Sequence, residues 1–334
     1  MKILITGASG FIGRYVVAAA LCKGYDVRAV VRSPQPTLPW PQHPQLEVTH
    51  LDLGDTARLP KTLEGINTVV HLAAVMSGTR EQQRQGTVRA TQALVAAMKT
   101  SAVQHLIAIS SFSVYDYLAL SPGTILGESL PLETRPDRRD GYTQAKLAQE
   151  ILVRQFATET DTLLTILRPG IVYGKDHLWN ASLGVNLKDR LWVCVGDRAI
   201  LPLLYVEHCA DAIVQAIQYP PKSRHTINLI DDDLPTQKAY REALRQVLPD
   251  LPPQLVLPWA IVNQISRWAA RLPSILPANP PGLLVPARVH ARFKPLAYSN
   301  TRAKQYLDWT PRFSLQEALS RSLSDIDLLQ EAQS

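Results

Sequence analysis

The opening stretch constrains this chain most: Met1-Lys2-Ile3-Leu4-Ile5-Thr6-Gly7-Ala8-Ser9-Gly10-Phe11-Ile12-Gly13. Lys2 to Thr6 reads as a short buried strand. Three glycines follow at spacing G-x-x-G-x-x-G, and an apolar helical pattern begins at once. Each glycine has a physical task at such a junction. Gly7 permits the tight turn, Gly10 lets a pyrophosphate approach the backbone, and Gly13 lets helix and strand pack closely. The unpaired N–H groups at the helix start then face the phosphates. The expectation is a dinucleotide site, weighed against a plain glycine turn.

The chain continues in the same rhythm. Strands are expected at Val27–Val31, Leu46–Leu51, Thr68–Ala73, His105–Ser110 and Leu163–Leu167, with helices at Phe11–Lys23, Arg80–Lys99 and Tyr142–Thr158. Short Val- and Ile-rich runs separated by helical patterns argue for an α/β fold, a doubly wound parallel sheet covered on both faces. Pro34 to Pro44 reads as a loop. After Pro169 the segments shorten and become Pro-rich. Helices are expected at Ala210–Gln218, Gln237–Val247, Ala260–Arg271 and Leu315–Leu329, and a strand at Thr226–Ile230. The division expected is a nucleotide-binding domain over residues 1–168. Residues 169–334 would form mainly a smaller substrate lobe, with some segments able to return to the sheet.

The 334 residues suffice for a large core, and the bulk numbers exclude several classes. The net charge of +6 is spread without a long basic run, which argues against nucleic-acid binding. Cys22, Cys194 and Cys209 form no C-x-x-C and no zinc spacing. They read as buried small residues of a reducing, cytoplasmic compartment. The N-terminus runs straight into the first strand, which predicts no signal peptide. No apolar run reaches the ~18 residues of a membrane span.

Tyr142-Thr143-Gln144-Ala145-Lys146 places a phenol and an ammonium at i and i+4, on one face of a helix. Ser110-Ser111 ends a strand, and in a doubly wound sheet strand ends and helix starts converge at the ligand crevice. A phenol of pKa ~10 is a poor base at neutral pH. A neighbouring ammonium and a positive nicotinamide ring would favour its phenolate. Tyr142 could then exchange a proton with a carbonyl or hydroxyl while hydride moves.

At this point the chain resembles the extended short-chain dehydrogenase/reductases, the superfamily of NAD-dependent epimerases, dehydratases and hydroxysteroid-type dehydrogenases. The carrying motifs are the glycine loop, Val70-His71-Leu72-Ala73-Ala74, Ile109-Ser110-Ser111-Phe112-Ser113-Val114-Tyr115, Tyr142-x-x-x-Lys146, and Leu167-Arg168-Pro169-Gly170-Ile171-Val172-Tyr173-Gly174. Leu307-Asp308-Trp309-Thr310-Pro311 resembles the family's "LGW-x-P" close. The resemblance implies a Rossmann-like sheet and a catalytic set of Ser111, Tyr142 and Lys146, with Lys146 also on the nicotinamide ribose. It implies cofactor contacts from Gly7, Ser9, Gly10, Phe11, Ile12 and Gly13, from Leu72, Ala73 and Ala74, and from Pro169. It further places Asp52 against the adenine amino group, where a plain turn residue is the alternative. Family members often pair, so a homodimer is a mild expectation. Departures are Asp116 after Val114-Tyr115, Thr87 where an Asn often stands, and Val206-Glu207-His208-Cys209-Ala210 in place of "V-D-D-V-A".

Strand two ends Val30-Val31-Arg32-Ser33 without the acid that NAD-preferring sites place on the ribose 2′-OH. Arg32 could instead face a 2′-phosphate, which points to NADP, with NAD possible. The alternative is that Arg32 only solvates the loop. Arg14 could assist, or be a surface residue. Nucleotide-sugar members usually carry an Asn where Ile171 stands, and Arg-Asp-Tyr/Phe where this chain has Leu203-Leu204-Tyr205. The reading is therefore an NADP-linked reductase or dehydrogenase acting on a small, moderately apolar ketone or alcohol. The alternatives are a nucleotide-sugar epimerase or dehydratase with retained NAD, and a cofactor-sensing or structural protein on the same fold. His71 reads as a satisfied core histidine. Asp231-Asp232-Asp233 reads as a solvated turn, with no metal site. Arg288, His290, Arg292 and Lys294 alternate as in a loop or strand with a solvated face, the alternative being contact with an anionic substrate group. Trp259 and Trp268 read as core on an amphipathic helix, which could alternatively rest on a membrane surface.

Overall fold

A computed structural model describes residues 1–32, 40, 42–188, 190–220, 224–248, 250–271 and 281–324. Most of the Pro34–Pro44 loop and the expected helical residues 325–329 lie outside them.

Seven parallel strands form the central sheet. They are β1 (Lys2–Thr6), β2 (Asp26–Val31), β3 (Leu46–His50), β4 (Thr68–His71), β5 (His105–Ile109), β6 (Leu163–Pro169) and β7 (His225–Leu229). Their spatial order is β7-β6-β5-β4-β1-β2-β3. From β1 the chain runs outward to β3, then returns to β4 and runs the other way. The order therefore reverses between β1 and β4, and the crevice at their carboxyl ends is where such sheets take ligands. Register sets Thr6 beside His71 and Ile109 beside Leu167, so these strands end level with one another.

Side-chain alternation divides the core. Ile3 and Ile5 of β1 enter the cluster that contains Val16, Val17 and Ala20 of helix α1 (Phe11–Cys22). Leu4 enters the opposite cluster, with Val153 and Phe156 of helix α2 (Gly141–Glu159). Both faces are covered at the centre of the sheet, where β5 is buried at every position, while the edge strand β3 keeps polar, part-exposed residues.

The expected strand at Thr226–Ile230 is β7, one of the later segments that return to the sheet. It pairs in parallel with β6 and extends the main sheet. Helix Val206–Gln218 likewise packs on α1 in the same core. The remaining strands form small sheets beside the main one. One has three strands, Gln254–Leu257, Leu191–Val195 and Gly184–Leu187, and a second pairs Leu203–Tyr205 with Ile171–Tyr173.

Two expectations are corrected. Arg80–Lys99 is not one regular helix. A π-helical stretch, Arg84–Arg89, separates the α-helical Arg80–Gln83 from Ala90–Met98. Here the Thr91 hydroxyl takes the Thr87 carbonyl at 2.7 Å, and Thr87 Oγ1 accepts the Val75 N–H at 3.0 Å. Side chains thus compete with the backbone ladder. Second, Arg288, His290 and Arg292 lie on a helix, Pro286–Phe293, whose first residue is a proline suited to that position. Lys294, just beyond it, is buried and donates to the carbonyls of Tyr117 and Leu120, both at 2.5 Å.

The glycine turn is built to close tolerance. A Cβ at Gly13 would stand 2.2 Å from the Gly7 oxygen and 2.7 Å from that of Ala8, both backbone atoms. Gly13→Ala is expected to cost about 1–3 kcal/mol, read as a lower urea midpoint. An unchanged midpoint would contradict this packing.

Candidate functional site

The crevice begins with the turn after β1. Gly7 has φ +68°, and a Cβ there would meet the Ala73 nitrogen at 2.8 Å. The two loops that border the crevice, after β1 and after β4, therefore touch through a glycine. Thr6 ties them further: its carbonyl accepts from Leu72 N–H at 3.3 Å, and its hydroxyl oxygen from Ala73 N–H at 3.3 Å. Gly10 is the N-cap of α1, exposed and extended, and no side chain caps this helix. The first N–H groups, at Phe11 and Ile12, are left for an external anion. An uncapped helix start beside a glycine cradle fits the pyrophosphate of a dinucleotide. Leu72, Ala73 and Ala74 line the far side, partly buried.

Ser111, Tyr142 and Lys146 meet at the ends of β5 and α2. Asp140 caps α2 by accepting the Thr143 N–H at 2.9 Å, which places Tyr142 in the first turn. Lys146 Nζ lies 6.0 Å from the centre of the Tyr142 ring. The Ser111 hydroxyl stands beside the Tyr142 hydroxyl, near enough to act on its titration. Its neighbour Ser110 turns inward to Glu150 instead, so the two serines have separate environments. Burial pushes the Tyr142 phenol up to about 12, with Ser111 pulling it down and Asp140 adding to the rise. Burial also pulls the Lys146 ammonium down to about 7, against the pull of Glu150. In this state Tyr142 holds its proton at neutral pH. Lys146 donates to the Ile109 carbonyl at 2.6 Å and to Gln149 Oε1 at 2.9 Å, which leaves one of its three donors for the crevice.

Behind Lys146 lies an uncharged chain of hydrogen bonds. Gln149 Nε2 donates to Thr91 Oγ1 at 3.2 Å, and His71 Nε2 lies 2.8 Å from the same oxygen. Thr91 spends its proton on Thr87, so His71 must carry hydrogen on Nε2 and accept at Nδ1 from Thr6, 2.8 Å away. His71 is thus a satisfied core histidine. Burial, and secondarily Lys146, hold its pKa down at about 3.

A charged cluster lies one turn further along α2. Glu150 accepts from Ser110 at 2.5 Å and from both arms of Arg168 at 2.8 and 2.7 Å. Glu150 and Arg168 are both buried. Burial alone would raise the Glu150 pKa, but the Arg168 fork outweighs it and holds the carboxyl below its usual range. Arg168 continues to the Tyr115 hydroxyl at 3.0 Å, and Tyr115 donates to Asn228 at 2.7 Å on β7. Sequence reasoning gave no role to Glu150, Gln149, Thr91 or Ser110. For Glu150 a signal existed, because Tyr142, Lys146 and Glu150 follow at i, i+4 and i+8 on one helix face.

The remaining candidates divide. Arg32 is exposed just past β2, and Pro169 closes β6 in a buried position. Asp52 is exposed and caps its own turn by accepting the Gly54 N–H at 2.7 Å. Arg14 is not a plain surface residue. Its guanidinium lies 5.8 and 5.6 Å from the Phe11 and Tyr15 ring centres, and its Nε is buried without a hydrogen-bond partner. Ile171 is partly buried and pairs with Leu203. The acidic triplet is only partly a solvated turn, because Asp231 is buried 2.7 Å from His208 Nδ1. Cys194 and Cys209 are buried, whereas Cys22 is only partly so. Among the described residues no cluster of His, Cys, Asp or Glu is arranged to hold a metal, and no helix is long and apolar enough to cross a membrane.

Residues 3–229 match the family model described as the NAD dependent epimerase/dehydratase family. The 3 beta-hydroxysteroid dehydrogenase/Delta 5→4-isomerase of Mycobacterium tuberculosis is 26% identical, across 96% of this chain and 89% of that protein. Cinnamoyl-CoA reductase 1 of Arabidopsis thaliana is 25% identical, across 75% of this chain and 76% of that one. Among solved structures, UDP-glucuronic acid 4-epimerase from Bacillus cereus, in complex with UDP-glucuronic acid and NAD, has a TM-score of 0.72 at 21% identity, covering 99% of both chains. That identity is low, and the likeness is one of fold.

The buried Glu150–Arg168 pair makes a direct prediction. Arg168→Met leaves a buried carboxylate without its main partner and is expected to cost about 3–5 kcal/mol in urea unfolding. Adding Glu150→Met should recover much of that loss. A single variant as stable as wild type would contradict the pairing.

Proposed function

The chain belongs to the NAD-dependent epimerase/dehydratase family, and within it we propose an NADPH-linked oxidoreductase that interconverts a ketone and a secondary alcohol on a moderately apolar substrate. The observation that carries this reading is the convergence of Ser111, Tyr142 and Lys146 on one end of the sheet, beside an uncapped glycine-lined helix start.

Roles follow from the chemistry of each group. The bound nicotinamide supplies hydride, or accepts it in the reverse direction. Tyr142 holds the proton. Its phenol, pushed up to about 12, is protonated at neutral pH and donates to the carbonyl oxygen as that oxygen becomes an alkoxide. Ser111 donates to the same oxygen and fixes its position. Lys146 in its protonated form, which a pKa of about 7 keeps available, sets positive charge behind the ring and offers its remaining donor to the ribose. Gly7, Ser9, Gly10, Phe11, Ile12 and Gly13 bind the pyrophosphate, with Leu72, Ala73, Ala74 and Pro169 along the cofactor.

NADPH is favoured over NADH because β2 ends without an acid and Arg32 stands exposed just past it. Arg14, with a buried unpartnered Nε, adds a second cation on the neighbouring helix. The apolar substrate is favoured by the part-exposed Ile171, which stands where nucleotide-sugar members usually carry an Asn. The names of the two curated relatives, a hydroxysteroid dehydrogenase and a cinnamoyl-CoA reductase, point the same way. On this reading residues 1–168 carry most cofactor contacts, and segments after 169 shape the substrate side.

Two variants test the assignment. Arg32→Asp removes a charge-assisted contact and should weaken NADPH about 10- to 100-fold while sparing NADH. An unchanged ratio of the two dissociation constants would defeat the 2′-phosphate assignment. Tyr142→Phe should lower turnover of apolar ketones about 10²–10⁴-fold with cofactor affinity retained. Retained turnover would remove Tyr142 as the acid.

A further inference from the structure

Helix α3 (Trp259–Arg271) presents a face that the described residues leave exposed. Its inner side rests on Pro286–Phe293. Val262 joins Val195, Val289 and Phe293 in a small cluster, and His290 Nε2 lies 2.8 Å from Asn263 Oδ1. On the other side Ile261, Ile265 and Trp268, at i, i+4 and i+7, are 54%, 50% and 56% exposed. A lone exposed hydrophobe needs no explanation, but three on one helical stripe do. Trp268 was expected in the core, and it lies outside it.

Charge says what would cover this stripe. From Leu251 to Leu307 the chain has seven Lys and Arg residues and no Asp or Glu, in a protein whose net charge is +6. This segment therefore holds the chain's positive surplus. Lys294 is buried, and Arg302 and Lys304 are paired with Glu128 and Asp232. Arg267 and Arg271 lie on α3 itself and are exposed. Among the described residues no carboxylate stands within ion-pair distance of either. The Arg271 guanidinium lies 5.2 Å over the Trp268 ring, at the edge of the apolar stripe.

We propose that this face docks on an anionic lipid bilayer. Ile261, Ile265 and Trp268 enter the headgroup–acyl boundary, and Arg267 and Arg271 meet the lipid phosphates. At 13 residues α3 is too short to cross a bilayer, so it lies in the interface plane. A tryptophan with a polar edge suits that depth. A bilayer offers apolar and anionic surface together. A second copy meeting this face to face would set Arg267 and Arg271 near their own equivalents, and like charges oppose that.

The full-length protein is sedimented with vesicles of phosphatidylcholine alone and of phosphatidylcholine mixed with phosphatidylglycerol. The expected result is binding to the mixed vesicles that weakens as salt rises, with little binding to the neutral ones. Arg267→Gln with Arg271→Gln should reduce the partition coefficient about tenfold or more. Ile265→Glu with Trp268→Glu should abolish binding, while melting temperature and NADPH affinity stay at wild-type values. Failure of the wild type to bind mixed vesicles overturns the proposal, as does undiminished binding by the glutamate variant. A lipid-free dimer that this variant splits, in a protein that ignores vesicles, also overturns it and assigns the face to a copy of the chain.

Discussion

The site depends on one buried ion pair. Glu150 on α2 accepts from Ser110 at the end of β5 and from Arg168 near the end of β6. Each of these residues adjoins a site residue: Ser111 follows Ser110, Pro169 follows Arg168, and Lys146 lies one turn before Glu150. The carboxylate thus fixes the helix that carries Tyr142 and Lys146 to the two strand ends it must face. Such a pair adds little net stability over an apolar equivalent, but breaking it is costly, so it selects one register of helix on sheet. The link to Tyr115 and Asn228 extends the same constraint to β7.

Two buried networks divide the work around Lys146. The charged one, through Glu150, is neutralised by Arg168. The neutral one, through Gln149, Thr91, His71 and Thr6, ties Lys146 to the glycine turn after β1. Burial pulls Lys146 down to about 7 and raises Tyr142 to about 12, so without cofactor the dissociable proton rests on the phenol. That is the protonation state needed to reduce a carbonyl. A positive nicotinamide ring would shift the balance toward phenolate, the state needed for the reverse reaction.

Much of this was legible in the sequence because the signals are local. The glycine turn, the alternation of strand and helix, and the Tyr142–Lys146 spacing each lie within a few residues, and Ser111 came from a family motif. What was hidden is long-range. Glu150 meets Ser110 across 40 residues and Arg168 across 18, and no periodicity announces such pairs. β7 returns to the sheet after the small sheets of the second half, and chain order alone does not say which later segment makes that seventh strand. The alternation Arg288, His290, Arg292 imitates a strand, yet Pro286 starts a helix there. Trp268 misled for a different reason. Helix α3 has apolar residues on two sides, and the side packed inward holds the smaller ones, Val262 and Ser266.

The central claim is an exchangeable NADPH serving a reductase, and the most direct test is made on freshly purified protein. It is denatured, and any nicotinamide nucleotide released is identified and counted. The account predicts substoichiometric nucleotide and an emptied protein that binds NADPH more tightly than NADH. One equivalent of tightly held NAD per chain would contradict it, and would instead indicate a catalyst that keeps its cofactor, as an epimerase or dehydratase does.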